Sequence, residues 1–258
     1  MGPFGPHFRL LMNAVTQLKP HLSATDARGF GHVDTWIFDL DNTLYPSEAR
    51  VWPQVDDRIT LFIANLYGID GLSARALQKY FYHRYGTTLK ALMDEDGIDP
   101  YEFLDFAHDI DHSDIELNPL LGEAIEKLPG RKLILSNGSR KHAEAVAMKL
   151  GIYDHFEDVF DIAAANLDPK PLPQVYDRFL ARHGVNPQRA AMFEDLARNL
   201  EVPHTLGMTT VLVVPEGARE VFREDWELQG RDAPHVDHVT DNLLGFLQGI
   251  AQSGPPRA

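Results

Sequence analysis

The 258-residue chain has no cysteine. Disulfides, zinc–thiolate sites and a cysteine nucleophile are thereby excluded, and nothing points to an oxidising compartment. Basic residues are scarce: 24 Lys and Arg stand against 38 Asp and Glu, a formal net charge of −14. Such a balance repels a polyphosphate backbone and argues against nucleic acid as a partner. No apolar run approaches the roughly 18–20 residues that cross a bilayer, so no membrane partner is expected. The short apolar stretch near the start is broken by Asn13 and lacks a small-residue cleavage pattern, and Pro6 stands where a myristoylation signal needs Ser or Thr. The expectation is a cytoplasmic protein of undetermined oligomeric state.

What is present is ordinary for a folded chain, 44% hydrophobic and 24% charged residues. The length suits one core domain carrying a smaller insert. Residues 1–31 hold Gly and Pro punctuation without a strong period and read as an N-terminal extension, with one short helix around 8–18. From Val33 onward, apolar runs of strand length recur: TWIF (35–38), KLILS (132–136), DVFDI (158–162), AAMF (190–193), TTVLVV (209–214) and, weakly, HVDHV (235–239). Helical patterns separate them, among them HAEAVAMKLGI and PLPQVYDRFLARHGV, with Gly151 and Gly184 as C-terminal caps. This alternation predicts an α/β fold: a doubly wound, mostly parallel, Rossmann-like sheet with helices on both faces.

The interval after the first strand is too long for one crossover. VDDRITLFIANLYGI and LSARALQKYFYHRY are helical in period, and Asp99-Pro100-Tyr101-Glu102 is a helix start with Asp99 as N-cap. Asn118-Pro119 then restarts the α/β pattern. The organisation expected is a core domain of residues 32–45 and 118–258 with a helical cap, 46–117, inserted after the first strand. Residues 94–116 hold ten Asp or Glu and no Lys or Arg, read as a solvated acidic face because the spacing is not that of a calcium loop.

Open parallel sheets bind ligands beyond the carboxyl ends of their strands. Asp39-Leu40-Asp41-Asn42-Thr43 follows TWIF, Ser136-Asn137-Gly138-Ser139 follows KLIL, and Glu194-Asp195 follows AAMF with Asn199 a helical turn later. The connection beyond DVFDI ends in Asp168-Pro169-Lys170-Pro171. Carboxylates, hydroxyls, backbone amides and one lysine would thus converge on one rim, a combination suited to a divalent cation plus a phosphate. Two carboxylates two residues apart can face one pocket, one attacking while the other, kept protonated by its neighbour's charge, donates a proton. Ser136, Asn137 and Gly138 offer donors to phosphate oxygens at a strand-to-helix turn. Glu194 and Asp195 offer the hard oxygens that Mg2+ prefers.

The ordered set FDLDNTLY, LSNGS, isolated Lys170 and FEDLARN resembles the four motifs of the haloacid dehalogenase superfamily over roughly 33–215, with 46–117 resembling that superfamily's cap. FDLDNTLYP, YGTTLKAL, LSNGSRKHA and FEDLARNL look more narrowly like its pyrimidine 5′-nucleotidase-like branch. The resemblance implies that Asp39 is a nucleophile forming an aspartyl-phosphate and Asp41 a general acid, then base. Thr43 and Ser136 would hold phosphoryl oxygens, and Lys170 would offset charge. Mg2+ would be bound by Asp39, the backbone carbonyl of Asp41, and Asp195, with Glu194 a further or outer ligand. Asn199 stands where many relatives have an acid, so it is expected to orient ligands, and Leu196 departs from the small hydroxyl residue common after the acidic pair.

The implied activity is Mg2+-dependent hydrolysis of pyrimidine nucleoside 5′-monophosphates (UMP, CMP), the partner being a small phosphorylated metabolite. The alternatives are a phosphatase for a sugar phosphate or phosphoglycolate, and a non-catalytic phosphate sensor. Dehalogenase chemistry is disfavoured, because it needs neither Asp41 nor the metal acids. In the cap, Tyr82, Tyr85, Thr87 and Thr88 are candidates for base and ribose contacts; equally, the tyrosines pack between cap helices and the threonines cap the next helix. His83, His108 and His112 read as surface or packing residues.

Overall fold

A computed structural model describes residues 28–46, 49–215 and 230–253; the helix expected at 8–18 lies outside them. The sheet consists of β1 (Thr35–Phe38), β2 (Arg131–Leu135), β3 (Asp158–Phe160), β4 (Ala190–Glu194), β5 (Thr209–Val213) and β6 (His238–Thr240). Their order is β3-β2-β1-β4-β5-β6, and every neighbouring pair is parallel. The chain winds outward from β1 to β3 and then returns beside β1 with β4. The order therefore reverses between β1 and β4, where open α/β sheets leave a crevice.

Alternation along the strands divides the core between the two faces. Trp36, Phe38, Ile134 and Phe193 pack with α5 (Pro119–Glu126), α6 (Arg140–Leu150) and α9 (Leu243–Ser253). Ile37, Leu133, Leu135 and Met192 pack with α7 (Pro173–His183) and α8 (Glu201–Leu206). Burial on both faces is why these strands read as unbroken apolar runs. The sheet is the doubly wound parallel one that the sequence predicts.

β6 begins at His238, later than the run at 235–239. Asp237 is the reason: its carboxylate accepts from the backbone N–H and the hydroxyl of Thr210, 2.9 and 3.1 Å away, occupying the edge of β5 where strand pairing would start.

Between β1 and α5 lie α1 (Val51–Tyr67), α2 (Gly71–Tyr85), α3 (Thr88–Asp96) and α4 (Pro100–Ala107). They enclose a cluster of their own, with Ile63, Phe81, Leu92 and Phe103 buried and Ile162 of the sheet domain packed beneath them. Side chains start three of the helices: Asp70, Thr87 and Asp99 each accept backbone N–H groups of the following turn. Gly86, at φ 85°, ends α2 at the Tyr85-Gly86 break. Most acids of 94–116 are exposed, several paired at the surface as in Asp94–Lys90 and Asp109–Arg58. Among the described residues no helix is long and apolar enough to cross a membrane.

Candidate active site at the β1/β4 switch point

The β1 ladder extends to Asp39, whose N–H donates to Phe193 O at 2.9 Å. The chain then turns sharply, with Asn42 in the left-handed region at φ 58°, a conformation Asn tolerates. This turn and the segments after β2 and β4 border one cavity of about 190 Å3, whose lining includes Asp39, Asp41, Ser136, Lys170, Glu194 and Asp195. The opposite wall comes from α1 to α4, including Trp52, Gln78 and Phe103.

Lys170 is 1% exposed, and its ammonium is fully used. It donates to Asp39 Oδ1 at 2.6 Å, Glu194 Oε2 at 2.8 Å and Leu135 O at 2.9 Å, one acceptor for each proton. Asn137 holds the lysine's main chain: its Oδ1 accepts from Lys170 N at 2.8 Å and its Nδ2 donates to Lys170 O at 3.5 Å. The side chain of Asn137 thus serves the lysine, leaving its backbone to face a ligand.

Asp39, Glu194 and Asp195 are buried with ligand oxygens all within 4.8 Å of one another. Three carboxylates with one ammonium leave an uncompensated negative charge. Burial, reinforced by the charge of Glu194, pushes Asp39 up to about 7. Burial, with the charge of Asp195, likewise pushes Glu194 up to about 7. Lys170 is held above its usual range despite burial, because Asp39 and Glu194 outweigh the desolvation. Hard oxygens with surplus negative charge fit a divalent cation. Both oxygens of Glu194 are engaged, Oε2 by Lys170 and Oε1 by Asn199 Nδ2 at 3.0 Å.

Asp41 differs from Asp39. Its Oδ1 accepts from Tyr45 Oη at 2.5 Å and lies 2.9 Å from His142 Nε2. Burial raises its pKa, but the charge and hydrogen bond of His142, with the Tyr45 hydroxyl, outweigh this and hold it below the usual carboxylate range. Asp39 is thus the carboxylate that is raised and Asp41 the one held ionised, the reverse of the protonation expected from the sequence for the second acid.

A family model for haloacid dehalogenase-like hydrolases matches residues 33–203, from before β1 through the Glu194-Asp195 segment. The chain belongs to that family. It is 25% identical over 238 residues to Phosphate metabolism protein 8 of Saccharomyces cerevisiae, covering 84% of this chain and 70% of that protein. Among solved structures, the HAD phosphatase from Thermococcus onnurineus shares the fold with a TM-score of 0.56 at 18% identity, covering 86% of this chain and 100% of that one. The HAD-hydrolase YfnB from Bacillus subtilis, bound to magnesium, aligns with a TM-score of 0.54 at 13% identity over 85% of this chain and 98% of that one.

The remaining sequence candidates of this haloacid dehalogenase-like hydrolase fall into two groups. Ser136 lines the cavity and accepts from Gly138 N at 2.9 Å, so its hydroxyl hydrogen is turned away from that bond. Thr43 is buried, and its Oγ1 has no hydrogen-bond partner among the described residues. Thr87 and Thr88 line the cavity, although the Thr87 hydroxyl also accepts from Lys90 N at 3.2 Å as the N-cap of α3. Tyr85 is not among the cavity-lining residues; it packs within the cluster enclosed by α1 to α4, and its hydroxyl is bonded to Glu95 on α3. Tyr82 instead lines the cavity and accepts from Arg198 Nη2 at 2.5 Å, joining α2 to the segment after β4.

Sequence reasoning gave no role to Tyr45 or His142. Both lay inside the quoted motifs, Tyr45 four residues beyond Asp41 and His142 in the first turn of α6 after its N-cap Ser139. His108, read as surface or packing, borders the cavity and stacks on His142 with ring centroids 4.4 Å apart.

Proposed function

We propose that the protein is a Mg2+-dependent phosphomonoesterase that hydrolyses pyrimidine nucleoside 5′-monophosphates such as UMP and CMP through an aspartyl-phosphate. The observation that carries this reading is the pairing of Asp39, bonded to Lys170 among three buried acids, with a second carboxylate, Asp41, facing the same cavity. A dehalogenase of this fold has no use for the second carboxylate or for surplus buried charge.

In the first step a carboxylate oxygen of Asp39 attacks phosphorus, the ester P–O bond breaks, and Asp41 gives its proton to the departing oxygen. In the second, Asp41 takes a proton from the water that attacks the same phosphorus, releasing phosphate and restoring Asp39. His142 and Tyr45 hold Asp41 as the carboxylate needed for the second step, while a phosphate dianion placed beside it favours the protonated form needed for the first. Lys170 neutralises charge between Asp39 and the phosphoryl group, and the Ser136 hydroxyl, whose oxygen accepts from Gly138 N, cradles the phosphoryl oxygens together with the Asn137 backbone amide. Magnesium, held by Asp39, Asp195 and the carbonyl of Asp41, would offset charge on the phosphoryl oxygens when bound. That YfnB is bound to magnesium in its own structure supports this choice of ion.

The cap supports a nucleoside as leaving group. Trp52 and Phe103 supply aromatic side chains, and Thr87 and Thr88 hydroxyl-bearing ones, to the same wall. Phosphate release from UMP, CMP, dTMP, AMP, GMP, phosphoglycolate and a sugar phosphate, with Mg2+ and then with EDTA, tests the reading. Mg2+-dependent turnover concentrated on UMP and CMP is the expected result. Turnover concentrated on another ester removes the pyrimidine assignment, and absence of turnover on all removes the phosphatase.

A further inference from the structure

We propose that His142 is a positioning residue that, with Tyr45, fixes the carboxylate of Asp41 for proton transfer, and that the cap completes this support through His108. The inference rests on the phosphomonoesterase reading above.

Both donors bind the same oxygen. Tyr45 Oη and His142 Nε2 lie 2.5 and 2.9 Å from Asp41 Oδ1, which leaves Oδ2 as the oxygen free to exchange a proton. Oδ2 faces the phosphate-cradling turn: a Cβ built on Gly138 would sit 3.7 Å from it and 3.2 Å from Ser136 Oγ. A carboxylate pinned through one oxygen cannot rotate the other away, and proton transfer demands that alignment.

The His142 ring is itself immobilised. Its side chain is 0% exposed, and the same Gly138 Cβ would meet its Cδ2 at 3.3 Å. On the other side lies His108, the residue that closes α4, stacked at 4.4 Å with the planes 16° apart. His108 Nδ1 is 3.0 Å from Ser139 Oγ, the hydroxyl that also accepts from His142 N at the start of α6. Cap and core thus clamp one imidazole between them.

Packing alone does not explain the choice of residue. His142 Nδ1 is buried with no hydrogen-bond partner among the described residues, a cost that an apolar side chain of similar size would avoid. A histidine stands where only its Nε2 makes a side-chain hydrogen bond, and that bond is to Asp41.

The test compares two esters that differ in their need for a proton. An alkyl phosphate, taken as the fastest ester of the panel above, expels a strongly basic alkoxide, whereas p-nitrophenyl phosphate expels a weakly basic phenolate. The ratio of their kcat/KM values therefore reports proton donation in the first step. His142→Ala is expected to lose about 100-fold on the alkyl ester and about threefold or less on the nitrophenyl ester. His142→Gln, whose amide reaches the place of Nε2, is expected to recover most of the alkyl-ester activity, and His108→Ala to show the same selectivity at smaller size. Equal losses on both esters, or a Gln variant no better than Ala, would overturn the proposal. Circular dichroism checks folding; if His142→Ala does not fold, His142→Gln and His108→Ala decide by the same ratio. A wild-type enzyme inactive on both esters overturns the phosphatase reading and this inference with it, whereas an active wild type with unselective variants overturns this inference alone.

Discussion

Lys170 and Glu194 are joined by a hydrogen bond of 2.8 Å between side chains that are each 1% exposed. The pair is buried deeply enough that neither charge can be replaced by water, and the same ammonium also holds Asp39 at 2.6 Å. Removing one member of a buried ion pair typically costs about 3–5 kcal/mol, because the partner is left uncompensated. Lys170→Met is therefore expected to abolish turnover and to destabilise the metal-free protein by about that amount at pH 8. At pH 5.5 the loss should shrink, since Asp39 and Glu194, both pushed up to about 7, are then protonated. Denaturant unfolding at the two pH values measures both effects.

Asp39→Asn should separate chemistry from stability. The ordinary value of 3.8 is raised to about 7 in the folded protein, so the folded state binds the extra proton between those values. Stability contributed by the protonated form is present at low pH and lost as pH rises toward 7. The amide cannot ionise and escapes this loss. The variant is expected to be inactive yet more stable than the wild type without metal at pH 8, by roughly 1–4 kcal/mol, with the difference vanishing near pH 4. Equal stability at both pH values would contradict the burial argument for Asp39.

Magnesium should act on the same charge surplus. Added Mg2+ is expected to raise the melting temperature at pH 7.5 and to do so less at pH 5.5, where protons compete for Asp39. A site at one hundred times its Kd gains about 2.7 kcal/mol. Asp195→Asn should remove the shift, and differential scanning calorimetry with and without EDTA reads it directly.

Tyr82 and Arg198 tie α2 to the segment after β4 at the rim. The hydroxyl accepts from the guanidinium at 2.5 Å, and the guanidinium carbon lies 4.7 Å above the ring. Tyr82→Phe removes the hydrogen bond but keeps the cation–π contact, a loss of about 1 kcal/mol. The expected result is a KM raised about fivefold, little change in kcat, and faster hydrogen exchange in α2. A kcat loss with KM unchanged would place Tyr82 in the chemistry instead.

The polar residues of the rim were legible because each follows its own apolar strand: Asp39 and Asp41 after β1, Ser136 after β2, Glu194 and Asp195 after β4. Strand ends in a parallel sheet point the same way, so linear order became spatial convergence. Tyr85 was not legible in this manner. Its place beside Gly86 was clear, but which side of α2 faced the cavity depended on how α3 packed, and the hydroxyl went to Glu95. Asn137 shows a related limit, since a side chain at a turn selects its partner from whatever the fold brings near, here the backbone of Lys170, 33 residues away.

By itself the sequence determined the alternation of strands and helices, the run of helices after the first strand and the chemical inventory of the rim, because these follow from hydrophobic period and from residues adjacent in the chain. Only the tertiary structure decided which groups act on which. His142 lies 101 positions from Asp41 and His108 ends α4, yet the two rings stack and His142 Nε2 reaches that carboxylate. Such contacts depend on helix rotation and cap docking, which a periodic pattern leaves open by several ångströms, while a hydrogen bond tolerates only tenths of one.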